Sequence, residues 1–505
     1  FRDVMGFEFS ANDIRNSLGR RSESGHFIVY YRAEDYSAED IRRIKAVAEY
    51  HYRKVSDALS FHNGSTDKIS VYIYPDNTWK QRYIGTANTN IAKPWKREIH
   101  LTTATFATTF RHELVHILAA DFGMPVIKAS LRMALNEGLA VAVDWEEGLF
   151  TPHQFAAAIQ REHGLENVPQ LFSYTGFATQ SSGYAYIVAG SFSRYLLDRY
   201  GIHRFRRVFP DGNFMGTFGE SLESLVKDWK AFLKTVDASD IPPETIQSIF
   251  FQPSIFYKTC AREVAERSQR AVQAIRMKDY RLAENEFKAS YKNAPTAYAL
   301  RGLFQSLNSQ HRPVDVIRSF SALPEHSMLR SNPGVLLLLG DAQYLNGAPA
   351  AAKDIYRLVW QMNYSEAFIE ASTVRLQSVE DHIDPSTFHA LYYGGLEDSA
   401  KATLVRNLLA HHGDAAVLQY YYTVFSRDSV DPTRFRDAMP AAKFVSRDIS
   451  YFVNVRLADR LFSQNHFEEA KGFYWLAKNG TPTPALTEYL DDRIELCDFV
   501  VMEMQ

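Results

Sequence analysis

Several features that would assign a chain to a familiar class are scarce or missing from these 505 residues. There are two cysteines, Cys260 and Cys497, which lie far apart and match no metal-binding or redox motif. No apolar run approaches the roughly eighteen residues needed to cross a bilayer. The formal net charge of −3 provides no basic excess for binding nucleic acid. We therefore expect neither a transmembrane segment nor a nucleic-acid partner.

The overall composition is that of an ordinary globular protein. Hydrophobic residues make up 46% of the chain, and its length is enough for about two to four domains. The first residue is Phe1 rather than methionine, which indicates either that a leader was removed, as in an exported periplasmic or extracellular protein, or that the sequence was trimmed. Composition does not indicate an activity, so the prediction of function depends on motifs.

The most informative motif is HExxH, formed by His112, Glu113 and His116. Four residues make just over one helical turn, so on a helix both imidazoles leave the same face and Glu113 projects beside them. Neutral histidine nitrogens suit Zn²⁺, and one rigid turn orders two ligands at little entropic cost. A chain of this length shows HExxH by chance roughly a few times in a hundred. The residues downstream distinguish chance from a metal site.

The third ligand is expected from a second helix. The segment Met133–Trp145 is apolar, has the length of a helix, and carries one early carboxylate, Glu137. Gly and Pro within Asp121–Pro125 provide the break that lets this helix return alongside the first. Three protein ligands with the fourth position left to water is the pattern of catalytic zinc. A three-histidine site is excluded, because the longer HExxHxxGxxH motif needs Gly and His where Ala119 and Phe122 stand.

HExxH followed by Asn136–Ala140 resembles the gluzincin peptidases, the group that contains thermolysin and the zinc aminopeptidases. The resemblance implies a thermolysin-like α+β domain, a small mixed sheet plus helices, with one Zn²⁺ held by His112, His116 and Glu137. It also implies that peptide bonds are hydrolysed through a metal-activated water, with Glu113 as the general base.

Two tyrosines are candidates for the hydrogen-bond donor that stabilises the oxyanion. Tyr186 precedes the Tyr-Leu pair at 195–196 by nine residues, which is similar to a segment of the aminopeptidases, and Tyr184 is the reserve choice. Ordinary packing is the alternative role for either one, since the chain has 28 tyrosines.

Asp144 is a candidate for orienting a ligand histidine. It lies two helical turns after Glu137 and on the same face of the predicted helix. Related aminopeptidases carry an acidic residue at this offset, and a carboxylate there can accept the outer N–H of an imidazole and fix its tautomer. The alternative is an ordinary exposed acid near the end of a helix.

Upstream of the motif, Lys68–Pro75 and Arg97–Thr102 alternate like strands, in agreement with the small sheet that gluzincins have ahead of the metal helix. The second strand is predicted to be the sheet edge along which an extended peptide pairs. His100 on that strand is predicted to be structural rather than a ligand. No GxMEN segment, with which aminopeptidases bind a free amine, occurs between Gly85 and Lys96, so endopeptidase and aminopeptidase action stay open.

Past about Asp240–Pro243 the strand signals end and successive amphipathic helices follow. Three stretches share the register of a tetratricopeptide (TPR) repeat. The matching residues are Ala283, Phe287, Ser290 and Pro295; Leu336, Leu339, Gly340, Ala352 and Tyr356; and Leu457, Ala458, Ala470, Tyr474, Ala477 and Pro482. Small residues let paired helices approach, and the aromatic residue fills the seam between pairs. The segment resembles degenerate TPR repeats, which implies an all-α domain.

The chain is thus predicted to contain a gluzincin zinc-peptidase domain over residues 1–245 and a TPR-like α-helical repeat domain over residues 246–505. The leading hypothesis is a zinc metallopeptidase that cleaves a peptide or protein substrate. Its repeats either bind substrate or a partner protein, or only support the peptidase domain. The competing hypothesis is a protein-interaction scaffold whose peptidase-like half is vestigial. The intact ligands and base favour the enzyme.

Overall fold

The computed structural model describes the chain over residues 9–61, 67–86, 89–145, 148–165, 167–250, 261–411, 415–426, 447–481 and 483–504. Within these residues the protein is mostly helical and contains one small mixed sheet. Cys260 and Pro482, both named above, lie outside the described residues. None of the helices described is both long enough and apolar enough to cross a membrane.

The described residues fall into two compact units. The first unit comprises the described residues of Phe1–Ala238, Phe462–Glu468 and Asp491–Gln505. The second unit comprises the described residues of Ser239–Leu461 and Glu469–Leu490. Residues late in the sequence therefore belong to the same unit as those near its start. The division at residue 245 into a peptidase domain and a repeat domain stays a prediction.

The sheet belongs to the first unit. Its strands are β1 (Arg20–Glu23), β2 (Phe27–Tyr31), β3 (Ile69–Tyr74), β4 (Ile91–Lys93) and β5 (Glu98–Thr102). Their order is β1-β2-β3-β5-β4, in which β2, β3 and β5 run parallel and the two outer strands pair antiparallel. The strands predicted over Lys68–Pro75 and Arg97–Thr102 are confirmed as β3 and β5.

The prediction that Arg97–Thr102 forms the sheet edge is wrong. Ile99 of β5 is paired with Val71 of β3 on one side and with Ala92 of β4 on the other. The edge strand is therefore β4. This edge cannot be predicted from the sequence, because β4 is only three residues long and is followed by Pro94. Three residues are too few to show an alternating pattern.

Helices account for most of the first unit. Those that lie before residue 239 are α1 (Ala11–Leu18), α2 (Ala38–Ala58), α3 (Asn77–Ile84), α4 (Thr103–Leu118), α5 (Met133–Asp144), α6 (Pro152–His163), α7 (Val168–Leu171), α8 (Ser182–Tyr200), α9 (Ile202–Val208), α10 (Phe214–Phe218) and α11 (Leu222–Leu233). Short 3-10 turns lie at Pro94–Lys96, Ala119–Phe122 and Phe177–Thr179. The helices predicted to carry HExxH and Glu137 are confirmed as α4 and α5.

The alternation of side chains along the strands separates the two faces of the sheet. Phe27 is paired with Ile69, and its ring centroid lies 5.7 Å from that of Phe110 on α4. This face therefore carries the motif helix. Tyr72 and Tyr74 lie on the opposite face, in a separate apolar cluster with residues of α1 and α3.

The remaining helices are α12 (Pro243–Phe250), α13 (Ala261–Arg276), α14 (Tyr280–Asn293), α15 (Ala297–Ser309), α16 (Pro313–Ser321), α17 (Pro333–Leu345), α18 (Pro349–Gln361), α19 (Glu366–Glu380), α20 (Pro385–Tyr392), α21 (Asp398–Leu409), α22 (Ala416–Phe425), α23 (Arg447–Ser463), α24 (Phe467–Lys478) and α25 (Pro484–Met504). A 3-10 turn lies at Met328–Ser331. Consecutive helices of the second unit pack on one another, and glycines meet aromatic rings at two seams. A Cβ on Gly302 would overlap the ring of Phe287, and one on Gly340 would overlap the ring of Tyr356.

Candidate metal centre

Helix α4 presents the HExxH residues because it begins directly where β5 ends. The backbone N–H of Thr102, the last strand residue, donates to Thr105 Oγ1 at 3.1 Å in the first turn of the helix. Phe110 is buried towards the sheet. The side chains of His112 and His116 are 16% and 17% exposed. Both imidazoles can therefore bind a ligand that enters from solvent.

The turn between α4 and α5 brings Glu137 back to the two histidines. A Cβ on Gly123 would overlap the backbone nitrogen of Ala129, so this close approach requires glycine. The backbone N–H of Ser130 donates to Asn136 Oδ1 at 2.9 Å. This hydrogen bond ties the turn to the first part of α5, one residue ahead of the carboxylate.

His112, His116 and Glu137 converge on one point. Glu137 Oε2 lies 3.3 Å from His112 Nε2 and 3.6 Å from His116 Nε2, and the three candidate ligand atoms all lie within 4.8 Å of one another. Two ligands bound to a tetrahedral ion at about 2.0–2.2 Å stand roughly 3.3–3.6 Å apart. The spacing and the donor set, two imidazoles and a carboxylate, therefore fit a metal ion.

The electrostatics of these three residues also suit a cation. Burial acts to raise the pKa of Glu137, but hydrogen bonds from His112 and His116 outweigh it and the pKa is lowered. Burial acts to lower the pKa of His116, but the carboxylates of Glu137 and Glu113 outweigh it and the pKa is raised. The same negative charge that favours a proton on the imidazole would favour a metal ion in its place.

Glu113 lies beside the three converging residues and lines the same cleft. It is 9% exposed. Burial raises the pKa of its carboxyl group, while His116, His112 and the backbone N–H of Ala92 oppose the rise. A raised pKa makes this carboxyl group a better proton acceptor, which is the property that a general base needs.

Of the two candidate tyrosines, the structure brings Tyr186 to the site. Its ring centroid lies 6.3 Å from that of His112, and the ring of Phe177 packs against it in a T-shaped contact at 5.2 Å. Burial raises the pKa of its hydroxyl group, and the carboxylate of Glu137 raises it further. The hydroxyl group therefore keeps its proton and can donate a hydrogen bond. Tyr184 does not line the cleft.

The cleft around the candidate metal centre has a volume of about 520 Å³. Its lining includes Ile91 and Ala92 of the edge strand β4, the preceding residue Asn90, Lys128 in the turn before α5, and Met133 at the start of α5. Because β4 is an edge strand, one row of its backbone groups faces away from β5. An extended chain entering the cleft would meet these groups.

Asp144 lies at the end of α5 and is 8% exposed, so the alternative interpretation as an exposed acid is wrong. Its Oδ1 lies 3.7 Å from Nε of Arg111, the residue before His112. The predicted contact with a ligand histidine stays a prediction.

His100 lies on the face of the sheet opposite the motif helix. Its Nδ1 is 3.0 Å from the Tyr74 hydroxyl group, and its Nε2 is 3.5 Å from Glu98 Oε2. It is buried among these groups and is not one of the three converging residues. This environment agrees with the prediction of a structural histidine.

Three polar residues near the cleft were not predicted from the sequence. Asn90 and Thr109 line the cleft, and Lys80 lies buried behind Asn90. No local pattern marks them, because a lysine in an amphipathic helix is ordinarily expected at the surface. Only the pairing of distant segments brings them together.

The approach of α5 to α8 depends on two glycines. A Cβ on Gly138 would lie 2.6 Å from the carbonyl oxygen of Ala189, and one on Gly190 would overlap the side chain of Val141. Glycine at both positions lets the helix backbones pack closely. Since α5 carries the candidate ligand Glu137 and α8 the candidate tyrosine, this packing sets the distance between the two helices at the site.

Gly138→Ala is expected to lower the free energy of unfolding by about 1–3 kcal/mol, the usual result of overpacking. Gly472→Ala is the matched control, because Gly472 lies in α24 and a Cβ there meets nothing within 4 Å. The control should gain up to about 1 kcal/mol from helix propensity. Urea unfolding measures both changes. Equal effects at the two positions would contradict the close packing of α5 and α8.

Neither a protein-family model nor a curated protein matches this chain. The case for a metal centre therefore depends on the residues of the chain itself.

Proposed function

We propose that the protein is a zinc metallopeptidase of the gluzincin type, with its peptidase domain over residues 1–245. The observation that supports this proposal is the convergence of His112, His116 and Glu137, with Glu113 beside them, at one open cleft. Three protein ligands leave one position of a tetrahedral zinc ion free, which is typical of catalytic rather than structural sites.

The proposed mechanism assigns a separate step to each residue beside the ligands. A zinc ion held by the three ligands would supply a polarised water and a Lewis acid for the substrate carbonyl. The carboxylate of Glu113 accepts a proton from the attacking water and later donates it to the leaving nitrogen. The hydroxyl group of Tyr186 donates a hydrogen bond to the carbonyl oxygen as negative charge develops there.

The proposed substrate is a peptide or protein segment in an extended conformation. This follows from the position of the edge strand β4, which lines the cleft beside Glu113. An extended peptide can pair with an edge strand through main-chain hydrogen bonds, and its side chains then alternate between cleft and solvent. Because main-chain pairing is independent of side chains, selectivity would come from the cleft walls.

The most direct test is exposure of the purified protein to a diverse peptide mixture with added zinc, with a chelator as the control. Cleavage positions are read by mass spectrometry. Zinc-dependent cleavage is expected, and the position of the cuts relative to the peptide ends decides between endopeptidase and aminopeptidase action. No cleavage in the presence of zinc would contradict the proposed function and favour the interaction scaffold.

Tyr186→Phe is expected to lower kcat by a factor of about 10²–10³, the usual effect of removing one oxyanion donor. KM should change little, because the hydrogen bond forms mainly in the transition state. Steady-state kinetics on the best peptide measure both constants. Tyr184→Phe is the matched control and should retain normal turnover. A defect confined to the control variant would transfer the role to Tyr184.

The second unit is proposed to be part of a TPR-like repeat domain, residues 246–505, that binds substrate or a partner protein. The seams in which Phe287 meets Gly302 and Tyr356 meets Gly340 support this assignment. Stacked helix pairs of this kind form extended surfaces on which peptides and proteins bind. The scaffold hypothesis requires only this unit, so the zinc-dependent cleavage test separates the two proposals.

A further inference from the structure

One buried charge in the first unit has no role in the chemistry proposed above. Lys80 on α3 is only 1% exposed. It is one of the largest fully buried side chains among the described residues, and all the others in that group are aromatic. Moving an ammonium group from water into the interior costs several kcal/mol unless partners compensate. A methionine of similar volume would avoid that cost. The presence of lysine at this position therefore suggests a function.

The hydrogen-bond partner of Lys80 is Asn90, the residue directly ahead of β4. Lys80 Nζ donates to Asn90 Oδ1 at 2.9 Å, and Thr105 Oγ1 donates to the same oxygen at 3.1 Å. Asn90 Nδ2 donates to Thr109 Oγ1 at 2.7 Å. Thr105 and Thr109 lie on α4, about two turns and one turn before Glu113. Asn90 is thus held between Lys80 and the motif helix.

The ammonium group also determines which way the Asn90 carboxamide faces. A hydroxyl group can donate or accept, so Thr105 and Thr109 alone would allow either orientation of the amide. An ammonium group only donates, so it requires the amide oxygen on its own side. Lys80 therefore selects a single arrangement of the hydrogen bonds around Asn90.

The strand that follows Asn90 lies beside the proposed base. Ala92 of β4 and Glu113 line the same cleft, and the backbone N–H of Ala92 acts to lower the pKa of the Glu113 carboxyl group. β4 pairs with β5 through only three residues, Ile91–Lys93, and lies at the sheet edge, where strands are held least firmly. The contacts of Asn90 supply a second anchor for this strand. Burial lowers the pKa of Lys80, and the charge of Glu113 opposes this shift.

We propose that Lys80 is a positioning residue for Glu113. Its buried ammonium group anchors Asn90, and through Asn90 it anchors both the motif helix one turn before Glu113 and the edge strand that lines the cleft beside Glu113. Lys80 contacts neither substrate nor metal in this arrangement. The inference rests on the proposed function, because it takes Glu113 to be the general base.

Lys80→Met is expected to lower kcat by about ten- to hundredfold, the scale on which residues supporting a metal centre act. Metal content should change little, because the three proposed ligand residues are intact. The melting temperature should be unchanged or higher, since replacing a buried charge by an apolar side chain is often neutral or stabilising. Lys227→Met, at an exposed lysine of α11, is the matched control and should leave kcat unchanged.

A double-mutant cycle tests whether Lys80 acts through Glu113. In a Glu113→Gln background, Lys80→Met should cause no further loss of turnover, because the group that it positions is gone. Asn90→Ala should reproduce the loss caused by Lys80→Met, and the two together should not add. Additive losses in either cycle would overturn the inference.

A readout independent of turnover separates this inference from the proposed function. Crystal structures of the unaltered protein and of Lys80→Met are expected to differ in the position of the Glu113 carboxylate relative to Ala92 of β4. If the unaltered protein cleaves no peptide but the carboxylate is displaced in the variant, the proposed function fails and the positioning role holds. If the position of the carboxylate is unchanged, or Lys80→Met is fully active, the positioning role is overturned.

Discussion

Glu113→Gln is expected to lower peptide turnover by a factor of about 10²–10⁴, the usual contribution of general acid–base catalysis. Glutamine keeps the size of the side chain and can still accept a hydrogen bond. It cannot accept a proton from water or return one to the leaving nitrogen. The three ligand residues are unaltered, so the metal content should be unchanged.

The measurement combines single-turnover cleavage of the best peptide with metal analysis of the same samples. Glu223→Gln, at an exposed carboxylate of α11, is the matched control and should behave as the unaltered protein. Comparable turnover in Glu113→Gln would refute the assignment of the base. Loss of metal together with activity would mean that Glu113 supports the metal centre instead of the proton transfer.

The local parts of this site are the parts that sequence predicts. The spacing of His112 and His116 is a property of one helical turn, and α4 is indeed a helix over both. The break after α4 and the apolar segment behind it predict a second helix, and α5 carries Glu137 back to within hydrogen-bonding distance of His112. Tyr186 was favoured by its spacing to a later pair, and it lies at the cleft.

The parts that depend on pairing between distant segments were not predictable in the same way. The edge strand β4 is too short to show the alternation of buried and exposed residues that marks a strand. The sequence therefore predicts the longer β5 as the edge. Lys80 and Asn90 are separated by ten residues and lie on different elements, and neither belongs to a motif. Burial of a lysine is a tertiary property, because helix periodicity assigns an exposed position to most charged residues.

The first unit also includes residues from the end of the sequence, and sequence patterns do not reveal this. It affects how the second unit can be tested. Tyr50 is fully buried, and its hydroxyl group donates to Asp492 Oδ1 at 2.5 Å. Arg53 pairs with Glu495 at 2.7 Å and lies over the ring of Phe499. A protein that ends at residue 245 lacks these partners. Loss of activity on deleting the helical repeats would therefore not show that the repeats bind substrate, so point substitutions in the full chain are required.

The proposed metal centre predicts the other large effect. The unaltered protein is expected to bind about one zinc ion per chain, and His112→Ala should lose this ion because one of only three protein ligands is removed. The affinity should fall by more than the 10- to 100-fold that is typical of residues that only support ligands. Metal analysis and competition with a chromophoric chelator measure the stoichiometry and the affinity. His203→Ala, at an exposed histidine outside the cleft, is the matched control.

Thermal unfolding gives an independent check on the same centre, because an ion that binds only the folded state stabilises that state. At a free zinc concentration 100 times Kd, the gain is about 2.7 kcal/mol, which raises the melting temperature measurably. His112→Ala and Glu137→Gln should show little gain in stability, whereas Glu113→Gln should keep the gain, because Glu113 is assigned to proton transfer.

If the unaltered protein binds no zinc and gains no stability from it, the peptidase proposal fails. If Glu137→Gln gains as much as the unaltered protein, Glu137 is not a ligand, and the convergence with His112 and His116 is then an ordinary hydrogen-bonded cluster.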